Sequence, residues 1–120
     1  MKITTLRATM LAAIAFPALL VATGAQAHAH LTKSDPAANA SVAAPKALRL
    51  EFSEKLEAKF SGVELMKSSG ADVAVDGKVD GKTIEVQPKA ALAPGGYMVM
   101  WHAVAEDGHK SKGSYNFTVK

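Results

Sequence analysis

The sequence predicts an all-β protein made of one small antiparallel sandwich or barrel. Three observations predict this class. From residue 46 onward the apolar residues recur at a spacing of two, which is the period of a strand and not of a helix. The apolar segments are short and are separated by turn-forming pairs such as Ser69-Gly70 and Asp80-Gly81. The chain has 120 residues, which suits a single domain of this kind.

The first 27 residues are predicted to be a signal peptide that precedes the domain. Lys2 and Arg7 stand before an uncharged apolar run over residues 8–22, and Ala25-Gln26-Ala27 fits the small-X-small pattern of a cleavage site. A membrane-spanning helix needs about 20 apolar residues, and this run is shorter. We therefore expect cleavage after Ala27 to release residues 28–120 as the exported domain; an uncleaved membrane anchor is the alternative.

The composition of the predicted domain excludes several classes of function. Of the 14 Lys and Arg residues, two lie before residue 28, so the domain carries 12 of them against 11 Asp and Glu. It has no basic run interleaved with aromatic residues, so nucleic acid is not expected as a partner. It has no Cys, so neither disulfide bonds nor thiolate metal ligands are available. Its stability must come from its core or from a bound ligand.

The strands are predicted in chain order from the alternation of apolar and polar residues. Residues 31–45 contain many turn-forming residues and two large apolar ones, Leu31 and Val42, which indicates an extended N-terminal strand with loops around it. Residues 53–60 are compatible with one helical turn, because Leu56 and Phe60 are four positions apart. The remaining strands are predicted around six alternating groups: Leu48, Leu50 and Phe52; Val63 and Leu65; Val73 and Val75; Ile84 and Val86; Tyr97, Val99, Trp101 and Ala103; Tyr115, Phe117 and Val119.

The fifth of these groups lies on a segment with two different faces. Tyr97 and Trp101 are on its apolar face and are expected in the core, with no catalytic role. Met98, Met100 and His102 share the other face, with about 6.6 Å between successive members. Flexible thioethers at that distance can converge on one soft ion. We hypothesise a secondary Cu(I) site there; ordinary packing of the sheet surface is the alternative.

Cleavage after Ala27 would make His28 the N-terminal residue, offering its α-amino nitrogen and a ring nitrogen to one metal ion. His30 adds an imidazole at position three. The amine, two deprotonated backbone amides and this imidazole can surround Cu(II) or Ni(II) in a square plane. Ala27-His28-Ala29 also fits the cleavage pattern, and a cut after Ala29 would make His30 the chelating terminus. A terminal histidine that is simply disordered is the alternative.

A second group of candidate ligands is predicted on the loop between the last two strands. Asp107 and His109 flank Gly108, which relaxes the backbone so that both side chains can converge. With the amine and ring of His28 they would supply three nitrogens and one oxygen. In the general affinity order of divalent metals, Cu(II) binds such a donor set most tightly. Zn(II) could use the same donors but prefers tetrahedral coordination. Asp-Gly is also the commonest hairpin turn pair, so a turn without a metal is the alternative.

Together these residues resemble the CopC family of periplasmic copper-binding proteins, and the resemblance spans the whole predicted domain. Its most specific parts are the terminal His28, the segment Phe52-Ser53-Glu54, and Trp101 followed by Asp107-Gly108-His109. The other matching segments are His28-Ala29-His30-Leu31, Asp35-Pro36-Ala37, Leu50-Glu51, Pro94-Gly95, Tyr97, Val99, Ala103-Val104, Gly113 and Phe117.

The resemblance implies a Greek-key barrel of about seven strands, cupredoxin-like or immunoglobulin-like, with one Cu(II) ion per chain bound at one end. His28, Asp107 and His109 would be its equatorial ligands. Glu54 would orient the amine or a ring N–H by accepting its hydrogen bond. His30 would bind the same ion, or hold it in the terminal-peptide arrangement when the other ligands are absent.

The resemblance also implies a role. The protein would be a monomeric, non-enzymatic Cu(II) carrier or buffer of the periplasm, acting in copper homeostasis and resistance. An inner-membrane copper transporter of the CopD type would be its partner. Because the amine and the imidazoles must be deprotonated to bind, copper affinity is expected to fall steeply below about pH 6.

The sequence departs from many members of that family in one respect. Those members carry a methionine-rich loop that binds Cu(I), whereas the matching region here, residues 67–80, has neither Met nor His. Thioether ligands select Cu(I), so the loop site is absent and a Cu(II)-only member is predicted, apart from the secondary site hypothesised above.

Two other functions stay open. One is a secreted copper monooxygenase or oxidase with an N-terminal histidine; the Asp107 carboxylate argues against it, because it would fill a position that oxygen needs. The other is a secreted interaction domain without metal, since a fold does not dictate a function.

Overall fold

The computed structural model describes residues 28–120, and the predicted signal peptide lies outside them. The described residues form nine strands: β1 (Leu31–Asp35), β2 (Ser41–Val42), β3 (Leu48–Phe52), β4 (Gly62–Lys67), β5 (Asp72–Val73), β6 (Val75–Asp80), β7 (Thr83–Pro88), β8 (Gly95–Val104) and β9 (Lys110–Val119). One sheet has the order β1-β3-β7-β6, and the other has the order β2-β9-β8-β4-β5. Residues 28–120 contain no helix that is long and apolar enough to cross a membrane. The all-β prediction is confirmed.

The alternation in the sequence determines the inner faces of the two sheets. In β3, Leu48 and Leu50 are fully buried, while Arg49 between them is exposed. β8 and β9 pair antiparallel over the whole of β8, with Val99 opposite Tyr115. The buried core draws on both sheets: Leu48, Leu50, Phe52, Leu65, Ile84, Val86, Tyr97, Val99, Ala103, Tyr115, Phe117 and Val119.

Aromatic contacts join the sheets and stiffen the β8–β9 hairpin. Phe52 of β3 meets Trp101 of β8 edge to face, with 5.1 Å between ring centroids. Tyr97 stacks on Phe117 at 5.5 Å. The indole of Trp101 lies against Gly113, where an added Cβ would be 2.5 Å from Cζ2. Both Tyr97 and Trp101 therefore pack as core residues, as expected, although Trp101 is only partly buried.

One strand pairing is parallel, whereas the sequence predicted an antiparallel sandwich. β2 pairs in parallel with the end of β9, with Ser41 opposite Thr118. Thr118 N–H donates to the Ala40 carbonyl, and Lys120 N–H donates to the Val42 carbonyl. The open edge of β9 thereby binds the chain that follows β1, which makes β2 the edge strand of the five-stranded sheet.

The helical turn expected in residues 53–60 is wrong. Leu56 forms an isolated antiparallel bridge with Ala105, which holds the backbone extended at this point. Only a reverse turn follows, closed by the Phe60 N–H donating to the Glu57 carbonyl at 3.1 Å. Leu56 is buried but Phe60 is 63% exposed, so the two side chains do not share an apolar face.

Candidate metal centre

The segment 28–30 is held between residues of both sheets. Ala29 is fully buried. The hydroxyl of Ser111, in β9, donates to the Ala29 carbonyl at 2.7 Å. Ser53, directly after β3, accepts the His30 N–H at Oγ (2.9 Å) and donates its own N–H to the His30 carbonyl (2.8 Å). His28, one residue before Ala29, is thereby placed beside the start of β9.

The β8–β9 hairpin ends in a tight turn over residues 105–109. The Gly108 N–H donates to the Ala105 carbonyl at 2.8 Å, and the Ala105 N–H donates to the His109 carbonyl at 2.9 Å. Gly108 has a φ of +91°, a conformation that side chains disfavour. The Asp107-Gly108 pair therefore does form a turn, and the same turn holds Asp107 and His109 close together.

Asp107 and His109 contact each other through two pairs of atoms. Asp107 Oδ1 accepts the His109 backbone N–H at 3.1 Å, and Asp107 Oδ2 lies 3.1 Å from His109 Nδ1. The backbone hydrogen bond is the main cause that lowers the pKa of Asp107 below its usual value, and the imidazole of His109 adds to it. The carboxylate is therefore ionised over the whole range in which imidazoles titrate.

The rings of His28 and His109 meet across the end of the sandwich. Their centroids are 5.3 Å apart, and their planes cross at 82°. A metal ion lies about 2.0–2.1 Å from an imidazole nitrogen, so two imidazoles on one ion have centroids about 4–6 Å apart. The observed separation falls within this range, and the edge-to-face contact is also one that two rings make without a metal.

The other predicted ligands are not gathered at this point. The His30 side chain is exposed, and Glu54 is exposed with no hydrogen bond among residues 28–120. Within the described part of the chain, no group of three or more His, Cys, Asp or Glu side chains is arranged to hold a metal ion. The contacts present are the two that His109 makes, with His28 and with Asp107.

Two serines that build this centre were missed by the sequence analysis. Ser53 and Ser111 fasten the terminal segment, yet neither was singled out. Ser53 lies in the Phe-Ser-Glu segment, in which Glu54 was the predicted site residue. No local signal marks Ser111, because its partner Ala29 is distant in the sequence and the two meet only in the folded chain.

Comparisons with known proteins match nearly all of the described domain to one protein family. A family model described as the CopC domain matches residues 31–120, a region that contains Asp107 and His109 and begins three residues after His28. The chain is 45% identical to protein YobA of Escherichia coli strain K12 over 106 residues, covering 84% of this chain and 86% of that protein. It is 44% identical to copper resistance protein C of Escherichia coli over 110 residues, covering 83% and 87%.

A solved structure with the same fold is the crystal structure of PcoC, described as a methionine-rich copper resistance protein from Escherichia coli. The TM-score is 0.73 and the sequence identity is 40%, over 78% of this chain and 99% of that one.

Proposed function

The chain belongs to the CopC family, and on this premise we propose that it is an exported, non-enzymatic Cu(II)-binding protein that acts in copper homeostasis and resistance. The observation that carries the proposal is the contact of His28 with His109 beside the ionised Asp107. The related proteins named for copper resistance support it. The protein would work in the periplasm as a monomeric carrier or buffer.

The proposed centre binds one Cu(II) ion through three residues. Signal cleavage after Ala27 frees the amine of His28, which together with its own ring supplies two nitrogens. His109 supplies a third nitrogen, and Asp107 supplies a carboxylate oxygen. Nitrogen and oxygen donors in a tetragonal arrangement suit Cu(II), which also binds most tightly in the general affinity order of divalent metals.

Asp107 has two roles in this proposal. Without copper its Oδ2 contacts His109 Nδ1 and its Oδ1 accepts the His109 N–H, so it orients the ring before the ion arrives. On binding, Oδ2 exchanges the ring nitrogen for the ion, while Oδ1 keeps the turn closed. His30 and Glu54 stay predictions: His30 as a further ligand or as the terminal-peptide ligand, and Glu54 as an acceptor that orients the amine or a ring N–H.

The ligand set also bears on how copper would be released. The centre has no thioether or thiolate donor, so it favours Cu(II) over Cu(I). Reduction of the ion to Cu(I), or its transfer to the ligands of a partner protein, would therefore release copper from the centre. We propose an inner-membrane copper transporter of the CopD type as that partner.

The test is electron paramagnetic resonance of the exported protein loaded with one equivalent of Cu(II). Intact mass first establishes whether residue 28 carries the free amine. N-terminal acetylation and His109→Ala should each change the spectrum and weaken Cu(II) binding. His102→Ala is the matched control, because that imidazole lies outside the proposed centre. An unchanged spectrum after acetylation would refute the proposed ligand set.

A further inference from the structure

The outer face of the five-stranded sheet carries all three methionines of residues 28–120. β4 and β8 pair antiparallel, with Met66 directly opposite Met98 and Glu64 opposite Met100. In each strand these residues alternate with buried ones, Leu65 in β4 and Val99 in β8, so they project away from the core. The three methionines are all partly buried.

The register places the three methionines within reach of a common point. Directly opposite residues on one face have Cβ atoms about 4.5–5.5 Å apart, which applies to Met66 and Met98. Met98 and Met100 are two positions apart on β8, hence about 6.6 Å apart. A methionine side chain has three rotatable bonds and adapts its sulfur position to its surroundings. Three thioethers at these distances can therefore turn toward a single ion.

His102, which the sequence grouped with Met98 and Met100, shares their face but lies about 6.6 Å from Met100 and about 13 Å from Met98, too far to bind the same ion as all three sulfurs. It stands opposite Gly62, and its ring leans across that residue: a Cβ at Gly62 would lie 3.0 Å from His102 Cε1 and 3.3 Å from Nε2. The ring therefore leans toward β4 at Gly62, about 13 Å along the strand from Met66. Within residues 28–120 the ring has no hydrogen-bond partner. An open depression of about 470 Å³ borders His102, Met100 and Glu64.

We propose that Met66, Met98 and Met100 form a Cu(I) site on the outer face of β4 and β8. Three thioethers form a soft donor set, which selects Cu(I) over the harder divalent ions. The site shares no ligand with the terminal centre, so the proposal of a Cu(I) site can be tested independently of the proposed Cu(II) function. Met66 is the member that only the strand register reveals, since it is far from β8 in the sequence.

The first test uses the exported wild-type protein and needs no variant. It contains three methionines, so a protein with ¹³C-labelled methionine methyl groups shows three signals. Titration with Ag(I), a redox-inert substitute for Cu(I), should shift all three signals together and saturate at one equivalent. If the signals stay in place while Ag(I) binds, or drift without saturating, the proposal is refuted.

The second test measures Cu(I) affinity under anaerobic conditions against a chromophoric chelator. Met98→Leu combined with Met100→Leu keeps the side-chain volume but removes two sulfurs, and should weaken binding at least tenfold. Met66→Leu alone should also weaken it. His28→Ala is the matched control and should leave Cu(I) affinity unchanged.

Equal Cu(I) affinity in the methionine variants and the wild type would overturn the proposal. So would a loss of affinity in His28→Ala alone, because it would place Cu(I) at the terminal centre. If the double variant fails to fold, the methyl signals of the wild-type protein still decide the question.

Discussion

Replacing Ser111 with Ala tests whether a single hydroxyl keeps His28 at the proposed metal centre. The Ser111 hydroxyl donates to the Ala29 carbonyl at 2.7 Å, and Ala29 is fully buried. Ser111→Ala leaves that carbonyl without its partner, which costs about 1–3 kcal/mol for a buried acceptor. Because Ala29 belongs to the terminal segment, the cost falls on the docking of residues 28–30 and less on the sandwich itself.

The size of the effect follows from that free energy. A cost of about 1–3 kcal/mol raises the opening equilibrium of the terminal segment about 5- to 150-fold, since about 1.4 kcal/mol corresponds to a factor of ten. Copper binding through His28 requires the docked segment, so the apparent Cu(II) affinity falls with the docked fraction. We expect Cu(II) affinity to fall in proportion to the docked fraction that hydrogen exchange measures, and by no more than the opening factor.

Two measurements check this reasoning. Hydrogen exchange of the Ser53 N–H, which donates to the His30 carbonyl, reports the opening directly. Competition with a chromophoric chelator reports Cu(II) affinity. Ser114→Ala is the matched control, because Ser114 is an exposed serine of the same strand. A clear fall in the docked fraction without a matching loss of copper affinity would show that His28 does not need docking to bind. Unchanged exchange would show that the hydroxyl does not hold the segment.

The remaining predictions concern the titration of the proposed centre and the stability of the fold. Cu(II) affinity should fall steeply below about pH 6, because protons compete with the ion for the imidazoles and the amine. Asp107 should not cause this fall, because the His109 N–H lowers the pKa of its carboxylate. Equal Cu(II) affinity at pH 7 and pH 5 would contradict the proposed ligand set. Tyr115→Phe should leave the free energy of unfolding in urea unchanged or raise it by up to about 1–2 kcal/mol, because its buried Oη makes no well-formed hydrogen bond and only a weak one to the neighbouring Ser34 side chain. Tyr97→Phe should lower it by about 1 kcal/mol, because the Tyr97 hydroxyl donates to the Ala93 carbonyl. Burial raises the pKa of Tyr115, so the unfolded chain ionises first, and wild-type stability should fall above about pH 10 more than that of Tyr115→Phe.

The fold was largely predictable because alternation is a local property. Five of the six alternating apolar groups each lie in one strand, and the apolar members of all six face the core or pack against it. Val73 and Val75 were predicted in one strand but lie in β5 and β6, which belong to different sheets. The prediction failed where a distant partner decides the local conformation. Leu56 and Phe60 have helical spacing, but the bridge from Leu56 to Ala105 holds the chain extended. The parallel pairing of β2 likewise depends on the open edge of β9, which short-range pattern does not show.

The candidate metal centre was likewise predictable in its local contacts and not in the contacts between distant segments. Asp107 and His109 are two positions apart on a turn, so their contact was expected from the sequence. The contact of His28 with His109 was an expectation from the donor chemistry and the family resemblance, and the structure brings the two rings together. The serines that make it possible could not be identified, because their partners lie in remote parts of the chain.

The amino-acid sequence by itself determined which residues form strands and which side of each strand is apolar, because side chains alternate between the two faces every residue. It also supplied the donors of the proposed copper centre and two of the three methionines of the outer face. Only the tertiary structure decided which distant side chains meet: His28 with His109, Ala29 with Ser111, and Met66 with Met98. The physical reason is that strand order and register are set by how the two sheets pack and pair, a cooperative property of the whole chain.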